Sequence, residues 1–248
     1  MFPIRDHNPS GKTPIVTIAL IAANILIFLA YFTSMSDREL AYFFFRWGLV
    51  PARVLSGEGY ETVLTSMFLH GGWMHLAGNM LFLWIFGDNL EEEMGHVGFL
   101  LFYLASGLAA AGLQTFADTS SAVPMVGASG AIAGVMGGYL LMFPKAKVDV
   151  LFIFVIFFRI FAIPAWIVLG VWFGSQLLSG YSMPTDGGGV AYWAHAGGFV
   201  GGVVLTLRVW LRRGARGYWN RTEGHPPHPE TAFKASKSNI PVISRRRM

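Results

Sequence analysis

Apolar residues in this chain gather into six long runs, which are separated by short segments rich in glycine, proline or charge. A helix of about 20 apolar residues crosses the roughly 30 Å hydrocarbon core of a bilayer. The first run is predicted to be a helix that is kept in the mature protein rather than a signal peptide, because no small-residue cleavage site stands out. The pattern therefore predicts an all-α membrane protein, a bundle of six transmembrane helices at residues 13–32, 67–86, 97–116, 127–143, 165–178 and 191–211.

Residues 148–178 form an apolar stretch that is longer than one span. As a single helix it would measure about 46 Å, which exceeds the bilayer core. Because Pro164 interrupts helical hydrogen bonding, we begin the fifth span at Ala165. Residues 148–163 would then lie partly in the interface, with Arg159 near a surface, and no role is assigned to them.

Three segments outside the spans complete the predicted organisation. Residues 34–62 are too charged to cross a membrane and too aromatic for a plain tether, which favours an interfacial first loop. Residues 1–12 form a short polar N-terminal segment ahead of the membrane domain at residues 13–211. Residues 212–248 are basic and lack an apolar period, which predicts a disordered tail.

The composition agrees with a membrane protein and removes several function classes. Charged residues make up 13% of the chain and apolar residues 54%, whereas soluble domains carry about 25% charged residues. The absence of cysteine excludes disulfide and thiol chemistry. No phosphate-binding loop, nucleotide fingerprint or nucleic-acid module is present, so we expect neither a cofactor nor a nucleic-acid partner.

Lysine and arginine are distributed unequally between the two sides of the predicted bundle. Because positive charge flanking the spans stays in the cytoplasm, both termini are predicted to be cytoplasmic, in a multi-pass protein of a prokaryotic plasma membrane. The inner segments hold Arg5, Lys12, Lys145, Lys147 and the tail from Arg212, whereas the outer loops hold Arg38, Arg46 and Arg53.

Polar residues from three distant stretches share one predicted depth. Spans two, four and six all run from outside to inside, so their first residues lie at one level near the outer face. Polar groups in hydrocarbon are costly and by default indicate a functional site. The residues at this level are His70, His75 and Asn79, then Ser129, then His195.

Taken singly, these residues have alternative explanations. His75 and Asn79 are four apart on one helix face, where a hydrogen bond between helices is as good an explanation as a functional site. Ser129 among small residues favours helix packing when it is considered alone. It does not fit the nucleophile elbow of soluble hydrolases, because the second glycine comes one residue early and no strand precedes it.

Ser129 and His195 together make a stronger case than either residue alone. Gly198 and Gly202 form a small-residue face on span six, and Gly130 begins a matching face on span four. If these faces meet, the two polar side chains lie opposite each other, and a serine nucleophile needs such an adjacent base. Because no carboxylate lies near the outer face within the spans, a dyad is favoured over a triad.

The remaining polar groups suit an oxyanion site better than a metal site. His75, Asn79 and the Ser129 backbone N–H at a helix N-terminus could donate hydrogen bonds to a developing oxyanion. His70 and His75 are five residues apart and lack the glutamate of a zinc-protease motif. The sequence therefore predicts no bound metal.

Five motifs follow one another along residues 13–211: Arg46-Trp47, His75-x-x-x-Asn79, Glu91-x-x-x-Gly95, Gly127-Ala128-Ser129-Gly130 and His195-x-x-Gly198-x-x-x-Gly202. Their order and content resemble the rhomboid family of intramembrane serine proteases. The resemblance implies a six-helix core, a dyad of Ser129 and His195, and an oxyanion site of His75, Asn79 and the Ser129 N–H. It also implies cleavage of membrane-spanning protein substrates near the outer face. Gly127, Gly130, Gly198 and Gly202 are predicted to support helix packing.

One position departs from the family pattern. Some family members carry an aromatic ring one turn after the serine, where this chain has Ala133. Another side chain must therefore position His195, and the candidates are Tyr192 and Trp193.

One alternative function stays open. It is a non-catalytic polytopic membrane protein, either a substrate-binding relative or a transporter, that uses the same polar cluster as a binding site. The natural substrate and the oligomeric state are not indicated by the sequence.

Overall fold

The computed structural model describes residues 2–154, 157–182 and 190–231, and the protein is mostly helical. The helices are α1 Ile15–Phe32, α2 Asp37–Trp47, α3 Pro51–Leu55, α4 Thr62–Thr65, α5 Trp73–Met94, α6 His96–Ala117, α7 Ser129–Met142, α8 Ala165–Ser182, α9 Tyr192–Arg212 and α10 Arg216–Thr222. The strands are β1 Phe2–Asp6, β2 Lys147–Phe154 and β3 Phe157–Pro164.

Within the described residues, three helices are long and apolar enough to cross a membrane: α1, α6 and α9. Helix α5 has the length, but it carries Asp88 and three consecutive glutamates from Glu91 in its last turns. Helix α7 has only 14 residues and is therefore about 21 Å long. The count of six spans stays a prediction.

Helix α7 lies at the centre of the molecule, and most of its residues are buried against α5, α6 and α9. Lipid tails are as apolar as leucine, so helices in a membrane associate by close packing rather than by hydrophobic burial. Small residues along α7 allow that packing, because neighbouring backbones can approach its axis. This central position holds the first turn of α7 firmly.

Glu91 ties the start of α1 to the end of α5. Its carboxylate accepts hydrogen bonds from the backbone N–H groups of Val16 and Thr17, each at 2.8 Å. The first N–H groups of a helix have no partner within the helix, and their positive dipole end attracts an anion. Glu91 therefore caps α1, and Gly95, with φ +72°, turns the chain directly into α6.

A three-stranded antiparallel sheet in the order β1-β2-β3 is the main departure from the predicted all-α fold. The hairpin of β2 and β3 connects α7 to α8 and accounts for residues 148–163, to which the sequence assigned no role. Valine, isoleucine and phenylalanine in this segment favour a strand, and the hairpin pairing runs from Phe154 with Phe157 to Lys147 with Pro164. The all-α prediction is wrong here because apolar length by itself does not distinguish a strand from a helix.

The chain beyond α9 is also more ordered than the sequence suggests. Trp219 on α10 donates a hydrogen bond to the Leu141 carbonyl at 3.0 Å, and its ring lies 4.9 Å from that of Trp210. Arg213 forms an ion pair of 2.8 Å with Glu93. Residues 213–231 therefore differ from the predicted disordered tail because their aromatic side chains pack on the bundle, and residues 232–248 lie outside the described part.

Candidate active site

Ser129 and His195 lie within hydrogen-bonding distance at one end of the bundle. Ser129 is the first residue of α7, and His195 lies in the first turn of α9. Ser129 Oγ is 2.8 Å from His195 Nε2. The fold thus brings together two residues that are 66 positions apart in the chain.

The glycines of α7 and α9 explain how these two side chains come so close. A Cβ added at Gly198 would collide with the carbonyl oxygen of Gly130, and one added at Gly202 would collide with that of Gly134. Only residues without a side chain permit this approach of two backbones. The two helices therefore meet along their small-residue faces, and the ends of these faces hold Ser129 and His195.

A cavity of about 670 Å³ opens beside Ser129 and His195. Its walls come from the ends of α6, α7 and α9 and from the segment before α7. Small side chains leave most of this space free, while Met67 covers Gly107. Lining residues near the serine are Met67, Gly71, His75, Gly107, Ala110, Gln114, Gly127 and Gly130.

His75 borders the same space from α5. The Gly71 N–H donates to His75 Nδ1 at 3.3 Å, so the neutral ring carries its proton on Nε2. A Cβ added at Gly127 would lie 2.8 Å from His75 Nε2 and 3.4 Å from Ser129 Oγ. His75 Nε2 and Ser129 Oγ therefore face one small volume.

Gly127 lies in the turn that precedes α7. Its φ of +135° is a conformation that favours glycine. A Cβ at this position would approach His75 on α5 and Ser129 on α7. The contribution of Gly127 to helix packing stays a prediction.

Asn79 and His70 are buried, whereas the other members of the predicted group are partly exposed. Asn79 is buried one turn below His75 and donates from Nδ2 to the His75 carbonyl at 3.0 Å. It is absent from the cavity lining formed by the described residues. His70 is fully buried, with its ring 5.1 Å from that of His75.

Two residues of α8, Gln176 and Trp172, contact His195 and were not predicted. Gln176 Oε1 is 2.7 Å from His195 Nδ1, and the Trp172 ring lies 5.6 Å from the imidazole. Tyr192 and Trp193, the expected candidates, line the cavity instead. The polar amide of Gln176 in an apolar span was the available signal, by the argument that singled out Asn79.

The described residues contain no group of three or more histidine, cysteine, aspartate or glutamate side chains suited to a metal ion. The absence of a metal or cofactor stays a prediction.

A family model, the rhomboid domain, matches residues 57–212, which is more than half of the chain. The chain belongs to the rhomboid family. The matched region runs from the segment before α4 to the end of α9 and includes every residue of the candidate site.

The chain also matches individual rhomboid relatives. It is 30% identical over 168 residues to the mitochondrial rhomboid protein 1 of Saccharomyces cerevisiae, which is 64% of this chain and 45% of that protein. It is 34% identical over 152 residues to the chloroplastic rhomboid-like protein 11 of Arabidopsis thaliana, covering 60% of this chain and 51% of the relative. Against the rhomboid protease GluP of Bacillus subtilis it is 34% identical over 131 residues, 53% of this chain and 25% of that protein.

These relatives support a membrane protein of a family that includes intramembrane serine proteases. The chain spans about half of the relatives' length, or less. Their names include mitochondrial, chloroplastic and bacterial proteins, so a prokaryotic plasma membrane is not established by the family.

Proposed function

We propose that this rhomboid is an intramembrane serine endopeptidase that hydrolyses peptide bonds in or near transmembrane segments of other proteins. The observation that carries the proposal is the 2.8 Å separation of Ser129 Oγ and His195 Nε2 beside a cavity. His195 would remove the hydroxyl proton as Ser129 attacks a peptide carbonyl. Water would then release the acid product from the acyl-enzyme.

An oxyanion needs donors aimed at the same point, and two are close to Ser129. The first is the Ser129 N–H, which lies at the N-terminus of α7 and has no partner within the helix. The second is His75 Nε2–H, whose tautomer follows from the hydrogen bond that Nδ1 accepts from Gly71. Asn79 would act less directly, because its amide bonds to the His75 carbonyl.

Substrates would have to unwind before cleavage, because an intact helix keeps its carbonyl groups in hydrogen bonds. Small or helix-breaking residues near the scissile bond should therefore be favoured. Access would come by displacement of α8 or of the segment before α9, of which residues 183–189 lie outside the described part. Residues with little bulk around the cavity leave room for an extended peptide and for water.

Serine-directed labelling with a fluorophosphonate in detergent tests this function. The wild-type protein should be labelled, and Ser129→Ala and His195→Ala should abolish labelling. Ser121→Ala is the matched control, because Ser121 also lines the cavity but is not the proposed nucleophile. Labelling that persists in Ser129→Ala and in His195→Ala would contradict the proposal.

Cleavage of a tagged single-span reporter tests the reaction itself. The wild type should cleave it, and His75→Ala and Asn79→Ala should slow cleavage, with the larger loss for His75. A wild-type protein that binds the reporter but neither cleaves it nor reacts with the fluorophosphonate would support the non-catalytic alternative.

The protein is also proposed to place both termini in the cytoplasm of a prokaryote and the Ser129 end of the bundle towards the outer face. The charge distribution along the loops supports this orientation. The partners would be the lipid bilayer and transmembrane protein substrates, without nucleic acid.

A further inference from the structure

His195, the proposed base, makes a second side-chain hydrogen bond, and the partner in this bond lies on α8. Gln176 on α8 lies 2.7 Å from His195 Nδ1 through its amide oxygen. The Gln176 amide nitrogen faces the Trp172 carbonyl at 3.4 Å and Ser175 Oγ at 3.2 Å. This environment explains why the oxygen, and not the nitrogen, is directed at the imidazole.

That hydrogen bond selects one tautomer of the imidazole. An amide oxygen can only accept, so His195 Nδ1 must carry the proton. In the neutral ring, Nε2 then has a free lone pair, and Nε2 is the atom that faces Ser129 Oγ at 2.8 Å. A general base for a serine needs this tautomer.

Helix α8 also restricts the tilt of the ring. The Trp172 ring lies one turn before Gln176 and meets the imidazole at 36°, with 5.6 Å between the ring centroids. Ala133 offers no ring for stacking on the α7 side. Orientation and tautomer of His195 are therefore both determined by side chains of α8.

Helix α8 is packed less tightly than α9. Phe173 stacks on Phe199 of α9 at 4.4 Å, but a Cβ added at Gly170 or Gly174 would meet no atom within 4 Å. At Gly198, on α9, the same addition would collide with the backbone of α7. Moving α8 away from the bundle would therefore break few close contacts, while the pairing of α7 with α9 stays intact.

From these contacts we infer that Gln176 is the positioning residue for His195 and that the base is ready only while α8 is seated against α9. The inference rests on the proposed protease function. A displacement of α8 that admits a substrate would separate Gln176 from Nδ1 and release the ring, and the return of α8 would restore the tautomer. Substrate access and readiness of the base would thus depend on one helix.

Replacement of Gln176 in the full-length protein tests the inference by reporter cleavage across pH, with kcat and KM measured separately. Gln176→Leu removes the acceptor at similar volume and should lower kcat roughly 10- to 100-fold with little change in KM. Gln176→Glu keeps an acceptor and adds a charge that stabilises the imidazolium. It should retain activity and move the acid limb of the pH–kcat profile to higher pH.

Controls separate positioning from folding and from the proposed function. Gly174→Ala adds a methyl group to the same helix without meeting a neighbour and should match the wild type. His75, a titratable side chain that lines the same cavity as His195, is present in every variant. If Gln176→Leu keeps its kcat within twofold, or if both Gln176 variants lose activity together with thermal stability, the inference is wrong. If the wild type and Gly174→Ala neither cleave nor label, the proposed function itself fails.

Discussion

Gly127 occupies the point where the proposed nucleophile and an oxyanion donor meet. Its φ of +135° is one that side-chain-bearing residues rarely adopt. The space that a Cβ would take is bordered by His75 Nε2 and Ser129 Oγ. The absence of a side chain at this position therefore serves both the turn into α7 and the room in front of the serine.

Gly127→Ala should reduce activity strongly without removing the fold. The added methyl group would displace His75 or rotate the peptide before Ser129, and loss of one oxyanion donor costs roughly 100-fold in kcat. Reporter cleavage measures the loss, and thermal unfolding in detergent reports the fold. Gly112→Ala, where a Cβ meets nothing within 4 Å, is the control; equal activity in the two variants would rule out the crowding that we describe.

At the scale of elements, the pairing of α7 with α9 determines the distance between Ser129 and His195. The carbonyl oxygens of Gly130 and Gly134 on α7 point into the positions that side chains at Gly198 and Gly202 would occupy. A displacement of about 1 Å between reacting groups can cost 100-fold in rate. The close packing at these glycines therefore affects the rate of the proposed reaction.

Gly198→Val should abolish cleavage by separating α9 from α7. We expect a loss of at least roughly 100-fold, with the bundle retained by its other contacts. Fluorophosphonate labelling and thermal unfolding distinguish misalignment from unfolding, and Gly112→Val, on the open face of α6, serves as the control. Full activity in Gly198→Val would show that close approach of the two helices is unnecessary.

The N-terminal strand β1 joins the sheet to the helical bundle through Asp6. The Asp6 carboxylate accepts hydrogen bonds from Tyr139 at 2.9 Å and from Asn89 at 3.0 Å. Burial, together with the nearby carboxylate of Asp88, raises the pKa of Asp6 to about 7 from an ordinary value of 3.8. The folded protein therefore favours the protonated form.

This raised pKa predicts a stability that falls as pH increases. Below pH 3.8 both folded and unfolded states are protonated at Asp6, and between there and about pH 7 the unfolded state ionises first. The contribution of Asp6 to the free energy of unfolding falls by on the order of 4 kcal/mol between these two pH values. Thermal unfolding in detergent should show that Asp6→Asn is less sensitive to pH over this range and more stable than the wild type at pH of about 8. Asp118→Asn is the comparison; an unchanged pH dependence in Asp6→Asn would mean that Asp6 is not the responsible group.

For the whole molecule, the candidate site and the sheet lie at opposite ends of the bundle. Ser129 and Met142 are the first and last residues of α7; Asp6 bonds to Tyr139, near its end, while His195 bonds to Ser129, at its start. The N-terminal strand, the β2–β3 hairpin and α10 gather at the end away from the serine. A membrane crossing the bundle would separate these two ends.

Single-cysteine labelling tests this orientation, and the chain has no cysteine of its own to interfere. Thr119 follows α6 at the Ser129 end, whereas Lys145 follows α7 at the opposite end, and both are exposed. In intact bacterial cells, a membrane-impermeant maleimide should label Thr119→Cys, and it should label Lys145→Cys only after lysis. The reverse pattern would invert the proposed topology.

Part of the helical framework and of the candidate site was predictable. Apolar runs of span length indicate helices, and the alternating direction of successive spans indicates which residues share one depth. The apolar runs predicted α1, α6 and α9 within a few residues, and helix direction predicted that Ser129, His75 and His195 would share one depth. The hairpin was not predictable in this way, because Val148 to Pro164 is apolar enough for either a helix or a strand. Gln176 was missed because only packing of α8 on α9 shows that its amide reaches His195.

The sequence by itself determined which segments are apolar, which loops carry the positive charge and which polar residues were candidates for the site, because these properties follow from chain order and side-chain chemistry. The tertiary structure decided what each group contacts. It places Gly127 against His75, turns Asn79 to the His75 carbonyl, and directs Gln176 to the imidazole. These contacts depend on rotation of each helix about its axis, and the packing of neighbouring helices sets that rotation.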